Sequence, residues 1–201
     1  TNSTLSGNSA FNGGGIFTNY GTTTVTNSTL SDNSANYSGG GIANGAFSTA
    51  TVTNSTLSGN TAYKDGGGID NIGNVTVTNS IVLGNIAGTG AEISGTVTQN
   101  DNDLSIIGGV NAAVVFAATT ADGAGILADN GGPVQTIALK NDASNPALDA
   151  GDDTAAAAAG AETDAAGFVR IDYVGVAHVE PNGANISDLG ALELQNDLTT
   201  I

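Results

Sequence analysis

Apolar and polar positions alternate over short stretches in the first hundred residues. Residues 24–26, 51–53 and 76–78 each read Thr-Val-Thr, which has the period of a half-buried strand. Gly, Asn and Ser interrupt the apolar positions every few residues, so no helix of useful length fits before Ala121. The pattern therefore predicts many short strands, each too small to bury a core alone.

These strands belong to a sequence repeat. The string TNSTLSGNSA at Thr1 returns with few changes at Thr26, Thr53 and Thr78, at intervals of 25, 27 and 25 residues. A period of this length is typical of stacked units. If each repeat forms one turn, equivalent strands pair in parallel about 4.8 Å apart. We therefore predict an all-β fold, a right-handed parallel β-helix of 25–27 residues per turn.

Stacking assigns the apolar residues to inward columns, which together form the predicted core. The first column consists of valines. The second consists of leucines, with a valine in the fourth repeat. The third consists of the isoleucines that follow each glycine-rich corner. Their members are Val25, Val52, Val77 and Val97; Leu5, Leu30, Leu57 and Val82; and Ile16, Ile42, Ile69 and Ile93.

Asparagine recurs in two further columns, for which we predict structural roles. Stacked side-chain amides hydrogen-bond along the axis of a β-ladder, and Asn tolerates the left-handed backbone of a tight corner. The two columns are Asn2, Asn27, Asn54 and Asn79, and Asn8, Asn33, Asn60 and Asn85.

The repeat and the charge both divide the chain. We predict β-helix turns over residues 1–120, and over residues 121–201 a divergent, acidic C-terminal cap continuous with the helix. The net charge is −16, of which residues 101–201 contribute −13. Nucleic acid is an implausible partner, because phosphate binding needs clustered Lys and Arg. No apolar run approaches the roughly 18 residues of a membrane helix, so we predict no membrane span.

Four strings in the second half carry a family resemblance: residues 128–139 (ADNGGPVQTIAL), 145–152 (NPALDAGD), 163–170 (TDAAGFVR) and 187–193 (SDLGALE). In this order, behind this repeat, they resemble bacterial surface β-helix proteins that have polymorphic outer-membrane-type repeats and a choice-of-anchor Q terminal region. The chain departs from that pattern at Ala165, Ala166 and Leu192 and in the alanine-rich insertion 153–161. The resemblance implies a secreted, extracellular or cell-surface location.

We therefore expect a non-enzymatic extracellular structural or adhesive protein, either a surface adhesin segment or a head-to-tail fibre subunit. The expected partner is a second copy, joined through the exposed strand edges at the ends of the solenoid, or a cell-surface or glycan ligand. The first repeat begins at Thr1, so its open edge either docks on another protomer or belongs beneath upstream sequence removed from the chain.

Two other functions remain open. One is a carbohydrate-active protein. Many parallel β-helices act on polysaccharides, but the repeats supply neither a base beside calcium-binding acids nor two carboxylates flanking a cleft. Lys64, Asp65 and Asp70 could form a catalytic set, although we favour a solvated loop there, and His178 lies in no recognisable catalytic motif. We therefore predict no catalytic residues. The second is ice binding through a flat Thr-x-Thr surface ladder. We favour the simpler explanation that Thr, which is β-branched and polar, is a good exposed strand residue. The ladder comprises Thr24, Thr26, Thr51, Thr53, Thr76, Thr78, Thr96 and Thr98.

We expect that the protein requires no cofactor, but Ca²⁺ is possible because it prefers carboxylate oxygens. The candidate ligands form two acidic groups: Asp101 and Asp103, and Asp149, Asp152 and Asp153. We further expect Arg170 to form an internal salt bridge with Asp164 or Asp188. The alanine run 155–159 fits either a short helix or a loop.

Overall fold

A computed structural model describes residues 1–99, 105–170 and 187–194, and it confirms the predicted fold. Parallel sheets form a β-solenoid of about four turns. The first turn contains β1 (Thr4–Ser6), β2 (Ser9–Asn12) and β3 (Ile16–Thr26), and the second contains β4 (Thr29–Ser31), β5 (Ser34–Ser38) and β6 (Ile42–Thr53). The later strands are β7 (Thr56–Ser58), β8 (Thr61–Ala62), β9 (Ile69–Asn71), β10 (Asn74–Thr78), β11 (Ile81–Val82), β12 (Ile93–Ser94) and β13 (Ile106–Ile107).

Each turn contributes to three sheets, which form the three sides of the solenoid. The first sheet has the order β1-β4-β7-β11-β13, and the second has the order β2-β5-β8. In the third sheet the long strand β6 pairs with β3 on one side and with both β9 and β10 on the other, and β9 also pairs with β12. All of these pairings are parallel.

The predicted apolar columns form the interior. Leu5, Leu30, Leu57 and Val82 are in register in the first sheet, and Ile16, Ile42, Ile69 and Ile93 are in register in the third. Val25, Val52 and Val77 form the valine column. The structure adds an inward column that the sequence analysis did not include, formed by Ala50 and Val75.

The fourth turn breaks the predicted valine and threonine register. Thr98 bridges to Thr76, not to Thr78, and Val97 only partly packs on the core. Ile93 pairs with Ile69, 24 positions earlier, whereas Thr98 pairs with a residue 22 positions earlier. The fourth turn is thus two residues shorter between these points, so its Thr-Val-Thr segment is displaced by two positions.

The column of Asn8, Asn33, Asn60 and Asn85 is a continuous amide ladder, as predicted. The Asn33 Nδ2 donates to Asn60 Oδ1 at 2.9 Å, and the Asn60 Nδ2 donates to Asn85 Oδ1 at 2.9 Å. Glu92 ends the ladder, because its carboxylate accepts from Asn85 Nδ2 at 2.6 Å and from the backbone N–H of Gly84 at 2.8 Å. Burial raises the pKa of Glu92, against the effect of these hydrogen bonds.

A serine ladder accompanies the amides, and the sequence analysis missed it. In each repeat the Ser backbone N–H donates to the hydroxyl of the Ser one turn later, at 2.9–3.2 Å. The signal was present in the sequence as the third residue of every Thr-Asn-Ser string. The members are Ser3, Ser28, Ser55, Ser80 and Ser105.

The C-terminal region lies along the side of the solenoid, where the sequence suggested an end cap. The Thr4 hydroxyl in turn one bonds the backbone carbonyl of Gln135, and the Thr56 hydroxyl in turn three accepts from the backbone N–H of Ala191 at 3.1 Å. The outward residues of the first sheet are Thr and Ser in the first three turns and Ile in the last two strands. Covering them with a second layer removes their apolar surface from water. This is why β4, β7 and β11 are buried on both faces.

That region is mostly irregular. It contains α1 (Ala112–Val115), the antiparallel pair β14 (Leu127–Ala128) and β15 (Thr136–Ile137), and α2 (Asp153–Ala158). Phe116, Ile137, Leu139 and Leu148 pack with Ile81 and Ile106 of the first sheet in a second apolar core. The alanine run therefore forms a short helix, whose N-cap is Asp152.

Candidate functional site

The threonine ladder is only half exposed, which corrects the expectation of two open ranks on a flat face. Thr24, Thr51 and Thr76 are in register and are exposed or half-buried. The other rank is buried because α2 and its neighbours pack beside it. That rank comprises Thr26, Thr53 and Thr78; Thr96 and Thr98 are exposed but displaced by the register change.

A cavity of about 470 Å³ separates the two threonine ranks from α2. Its far wall is formed by Ala155, Ala158 and Ala159. The lining thus consists of hydroxyl and methyl groups without a charged side chain. This cavity interrupts the flat surface that ice binding through the ladder would need.

The corner asparagines have the left-handed backbone predicted for them, with φ of 47–49° at Asn2, Asn27, Asn54 and Asn79. They also hold the C-terminal region, a role that the sequence did not reveal. Asn27 Nδ2 donates to the carbonyl of Thr163 at 2.6 Å. Asn79 brackets the backbone of Asp152, donating to its carbonyl at 2.8 Å and accepting from its N–H at 2.7 Å.

Arg170 is buried against this corner, and its ionic partner differs from the prediction. Its Nη1 lies 3.0 Å from Glu193 Oε2, and both side chains are almost inaccessible to water. Its Nη2 donates to Asn27 Oδ1 at 3.2 Å. The contact with Asp188 is to the backbone carbonyl, at 3.0 Å. Glu193 was not predicted as the partner, because the sequence alone does not show which of the many acidic residues in this half lies next to Arg170.

Asp164 and Asp188 serve as acceptors of backbone hydrogen bonds near that ion pair. Asp164 accepts from the N–H groups of Phe168 and Glu193 at 2.8 and 2.9 Å. Asp188 accepts from those of Asp149 and Leu194 at 2.8 and 2.7 Å. Burial raises the pKa of Asp188 to about 7, and the nearby Asp149 carboxylate adds to the shift.

The structure does not bring the predicted calcium ligands of the second acidic group into one site. Asp152 caps α2 by accepting from the N–H groups of Thr154 and Ala155, and Asp153 accepts from the hydroxyl and N–H of Ser187. Asp101, Asp103 and His178 lie outside the described residues. Across the described ranges, no group of three or more His, Cys, Asp or Glu is placed to hold a metal ion.

Aromatic side chains form the most unusual surface of the solenoid. The chain has nine aromatic residues, and six of them lie in the first three turns, all with 41–81% of their surface exposed. The interior of the same turns is built from Val, Ile, Leu and Ala. The six, which we call the aromatic face, lie on two adjoining sides of the solenoid. Phe11, Tyr37 and Tyr63 lie on or directly after strands of the second sheet, and Phe17, Tyr20 and Phe47 lie on strands of the third.

Four of these rings stack across adjacent turns. Phe11 and Tyr37 have ring centroids 5.6 Å apart, and Tyr20 and Phe47 have them 5.7 Å apart, each pair within 2° of parallel. The spacing follows from the parallel register, which places Tyr20 directly opposite Phe47. No role for these rings was predicted from the sequence, although six of the nine aromatic residues fall within the first 63 positions.

A notch of about 330 Å³ opens within the aromatic face. Phe17, Tyr37 and Ile72 supply its apolar walls, and Ala43, Gly45 and Ala46 its small floor. The polar residues that line it are Asn12, Asn19 and Asp70, together with Ser38 and Asn44, whose side chains are almost fully buried.

Lys64, Asp65 and Asp70 lie beside this notch, so the structure brings together the three residues singled out from the sequence. Lys64 Nζ is 3.0 Å from Asp65 Oδ2 and 5.0 Å from the centroid of the Tyr37 ring. The hydrogen bond to Asp65 raises the pKa of Lys64. Burial, and then the charge of Asp65, raise the pKa of Asp70, while a hydrogen bond with Ser94 opposes the shift.

Comparison with protein-family models, curated proteins and solved structures found no match to this chain. The described helices are all short, and none is long and apolar enough to cross a bilayer. The sheet pairings define a parallel β-solenoid, and its surfaces carry the evidence about function.

Proposed function

We propose that this chain is a non-enzymatic structural and adhesive segment of an extracellular or bacterial cell-surface protein. The observation that carries the proposal is the aromatic face, on which six rings are exposed although the adjacent core contains only aliphatic side chains. Large exposed apolar patches on soluble proteins mark interaction surfaces. Aromatic residues are enriched where proteins bind partners, because they supply rigid contact area.

The solenoid suits an adhesive role because it holds these rings in fixed positions. Each turn is tied to the next by strand pairing, by the amide ladder and by the serine ladder. Side chains on rigid elements lose little conformational entropy on binding. The C-terminal region covers the first sheet, so the aromatic face remains open to a ligand.

The head-to-tail fibre is the weaker form of this proposal. In the amide ladder each Asn donates toward the next turn, and Glu92 accepts the last of these bonds. A second copy stacked on that end would have to displace a half-buried carboxylate. We therefore favour an adhesive segment over a fibre subunit, and a monomer at high concentration in light scattering is the expected result.

A carbohydrate-active enzyme is the second candidate, and the cluster of Lys64, Asp65 and Asp70 is the observation in its favour. Raised carboxyl pKa values are typical of general acids in glycosidases. The close pairing of Lys64 with Asp65 equally fits an exposed ion pair of small energetic effect. Release of unsaturated or reducing sugars from polysaccharides by the purified protein would favour the enzyme.

Ice binding is the third candidate, and the burial of one threonine rank weighs against it. Faceted ice crystals at micromolar protein would revive it, and Thr51→Lys should then abolish the faceting.

Retention of protein-coated beads under flow on bacterial cell-surface material tests the adhesive function. The test variant carries Tyr20→Ser, Phe47→Ser and Tyr63→Ser, and its matched control carries Ser at the exposed positions Thr22, Thr24 and Thr49. We expect roughly hundredfold weaker binding and a corresponding loss of retention for the aromatic variant, since three anchoring rings at about 1 kcal/mol each contribute about 3 kcal/mol. Equal retention of the two variants would overturn the proposal.

A further inference from the structure

The notch in the aromatic face arises from one column of the third sheet. Phe17, Ala43 and Asp70 are in register on three successive turns, so their Cα positions are about 4.8 Å apart. The small Ala43 leaves a gap of roughly two strand spacings between a phenyl ring and a carboxylate. The gap therefore has one apolar end and one end that accepts hydrogen bonds.

The other residues that line the notch are likewise partly apolar and partly polar. Tyr37 and Ile72 add apolar surface, while Asn12, Asn19 and Ser38 add amide and hydroxyl groups. Phe17 belongs to neither stacked ring pair, and more than half of its surface is exposed. Binding pockets typically combine apolar walls with a few polar groups that fix the orientation of the ligand.

This chemistry matches a sugar ring, which has an apolar C–H face and a rim of hydroxyl groups. Asn side chains donate and accept hydrogen bonds, and a carboxylate accepts from two neighbouring hydroxyls. The charge selects among sugars. Lys64 beside the notch is paired with Asp65, which leaves the charge of the half-buried Asp70 uncompensated, and this charge and the net charge of −16 both repel anions. Uronic-acid polymers and nucleic acids are therefore disfavoured.

We propose that the notch formed by Phe17, Tyr37, Ala43, Asp70 and Ile72 binds a pyranose unit of a neutral polysaccharide. The sugar face lies against Phe17, and the hydroxyls bond to Asp70 and to the surrounding amides. This inference rests on the proposed adhesive function and names the chemical class of its ligand.

Calorimetric titration of the full chain with hexamers of β-1,4-glucan, α-1,4-glucan and β-1,4-mannan tests the inference, with hexagalacturonate as the acidic comparison. Ala43→Phe fills the notch without removing a polar group, and Phe17→Ala removes the apolar end. We expect at least one neutral hexamer to bind, and each variant to weaken that binding by about tenfold or more. Phe47→Ala, an exposed aromatic change outside the notch, should bind like the unchanged protein.

Three results would overturn the proposal: no heat with any neutral hexamer at millimolar concentration, hexagalacturonate binding as tightly, or unchanged affinity in Ala43→Phe. Circular dichroism checks that each variant is folded; if Ala43→Phe is not, Phe17→Ala and Tyr37→Ala decide the question. If the unchanged protein binds no neutral hexamer but still shows the aromatic-dependent bead retention, the sugar site is rejected and the adhesive function stays intact.

Discussion

In the repeat turns the same contact recurs in every turn, whereas in the C-terminal half the contacts that hold the chain each occur once. The Asn60 amide makes the same bonds as Asn33 one turn away, but Arg170 has no equivalent within the described residues. A repeated contact spreads the free energy of folding over neighbouring turns. A unique buried ion pair concentrates that free energy at one place, where removal of one partner leaves a charge uncompensated.

The largest expected effect follows from that concentration. Arg170→Met leaves the Glu193 carboxylate buried without its partner, so we expect the C-terminal region to lose about 3–5 kcal/mol of stability. Urea unfolding and limited proteolysis measure the loss. Lys140→Met is the matched control, because Lys140 makes only an exposed contact of 3.8 Å with Asp142, and it should change stability by less than about 0.5 kcal/mol. Similar effects of the two substitutions would contradict the assignment.

The amide ladder provides the corresponding test in the repeats. Asn60→Ala removes the acceptor of Asn33 and the donors to Asn85 and to the carbonyl of Leu30, so we expect a loss of about 3 kcal/mol. Asn8 is in the same column but is exposed on the first turn, and Asn8→Ala should cost less than about 1 kcal/mol. Equal losses measured by urea unfolding would show that the column does not act as a buried ladder.

The pH dependence tests one buried carboxyl of the C-terminal region. Asp188 has a folded pKa of about 7 against an ordinary value of 3.8, so the folded state holds a proton over that interval. Its contribution is fully present below about pH 4 and is lost as the pH rises to 7, by at most roughly 1.4 kcal/mol per pH unit. Asp188→Asn does not titrate, so its unfolding free energy should fall less between pH 4.5 and 7.5. Parallel pH profiles for the variant and the unchanged protein would refute the buried neutral carboxyl.

The smallest expected effect is the contribution of the stacked rings to the free energy of unfolding, because we propose that these rings mainly contact a ligand. A double-mutant cycle on Tyr20 and Phe47 should give a coupling of about 0.5 kcal/mol. Tyr20 and Tyr63, which form no stacked pair, should show additive effects within about 0.3 kcal/mol. A coupling above about 2 kcal/mol would mean that the rings hold the turns together, which would weaken the case for an adhesive surface.

The sequence predicted those parts of the fold that repeat. Leu30 has a counterpart at the same position of the other repeats, and so does Asn60. Their two columns therefore followed from the repeat spacing alone. The register change at Thr98 did not follow, because a two-residue shortening within one copy leaves its Thr-Val-Thr string intact. The lateral packing also escaped prediction, since it depends on the fit between the outward faces of Thr56 and Ile81 and a segment that does not repeat.

The candidate site was predictable only in part for the same reason. Lys64, Asp65 and Asp70 are close in sequence, and the structure keeps them together. The notch combines Phe17, Tyr37 and Asp70 from three different turns, so its composition emerges only once the register is known. The N-cap role of Asp152 likewise depended on α2, whose start the sequence left open between a helix and a loop.

A cross-linking measurement tests the central claim most directly, namely that the C-terminal region lies along the side of the solenoid and leaves the aromatic face open. The chain contains no cysteine, so pairs can be introduced without background. With Gln135→Cys, a short bifunctional maleimide should link rapidly to Thr4→Cys in turn one and not to Val110→Cys beyond turn four. β1 and β13 are four strands apart, about 19 Å. Linkage to residue 110 in place of residue 4 would show an end cap and contradict the arrangement described.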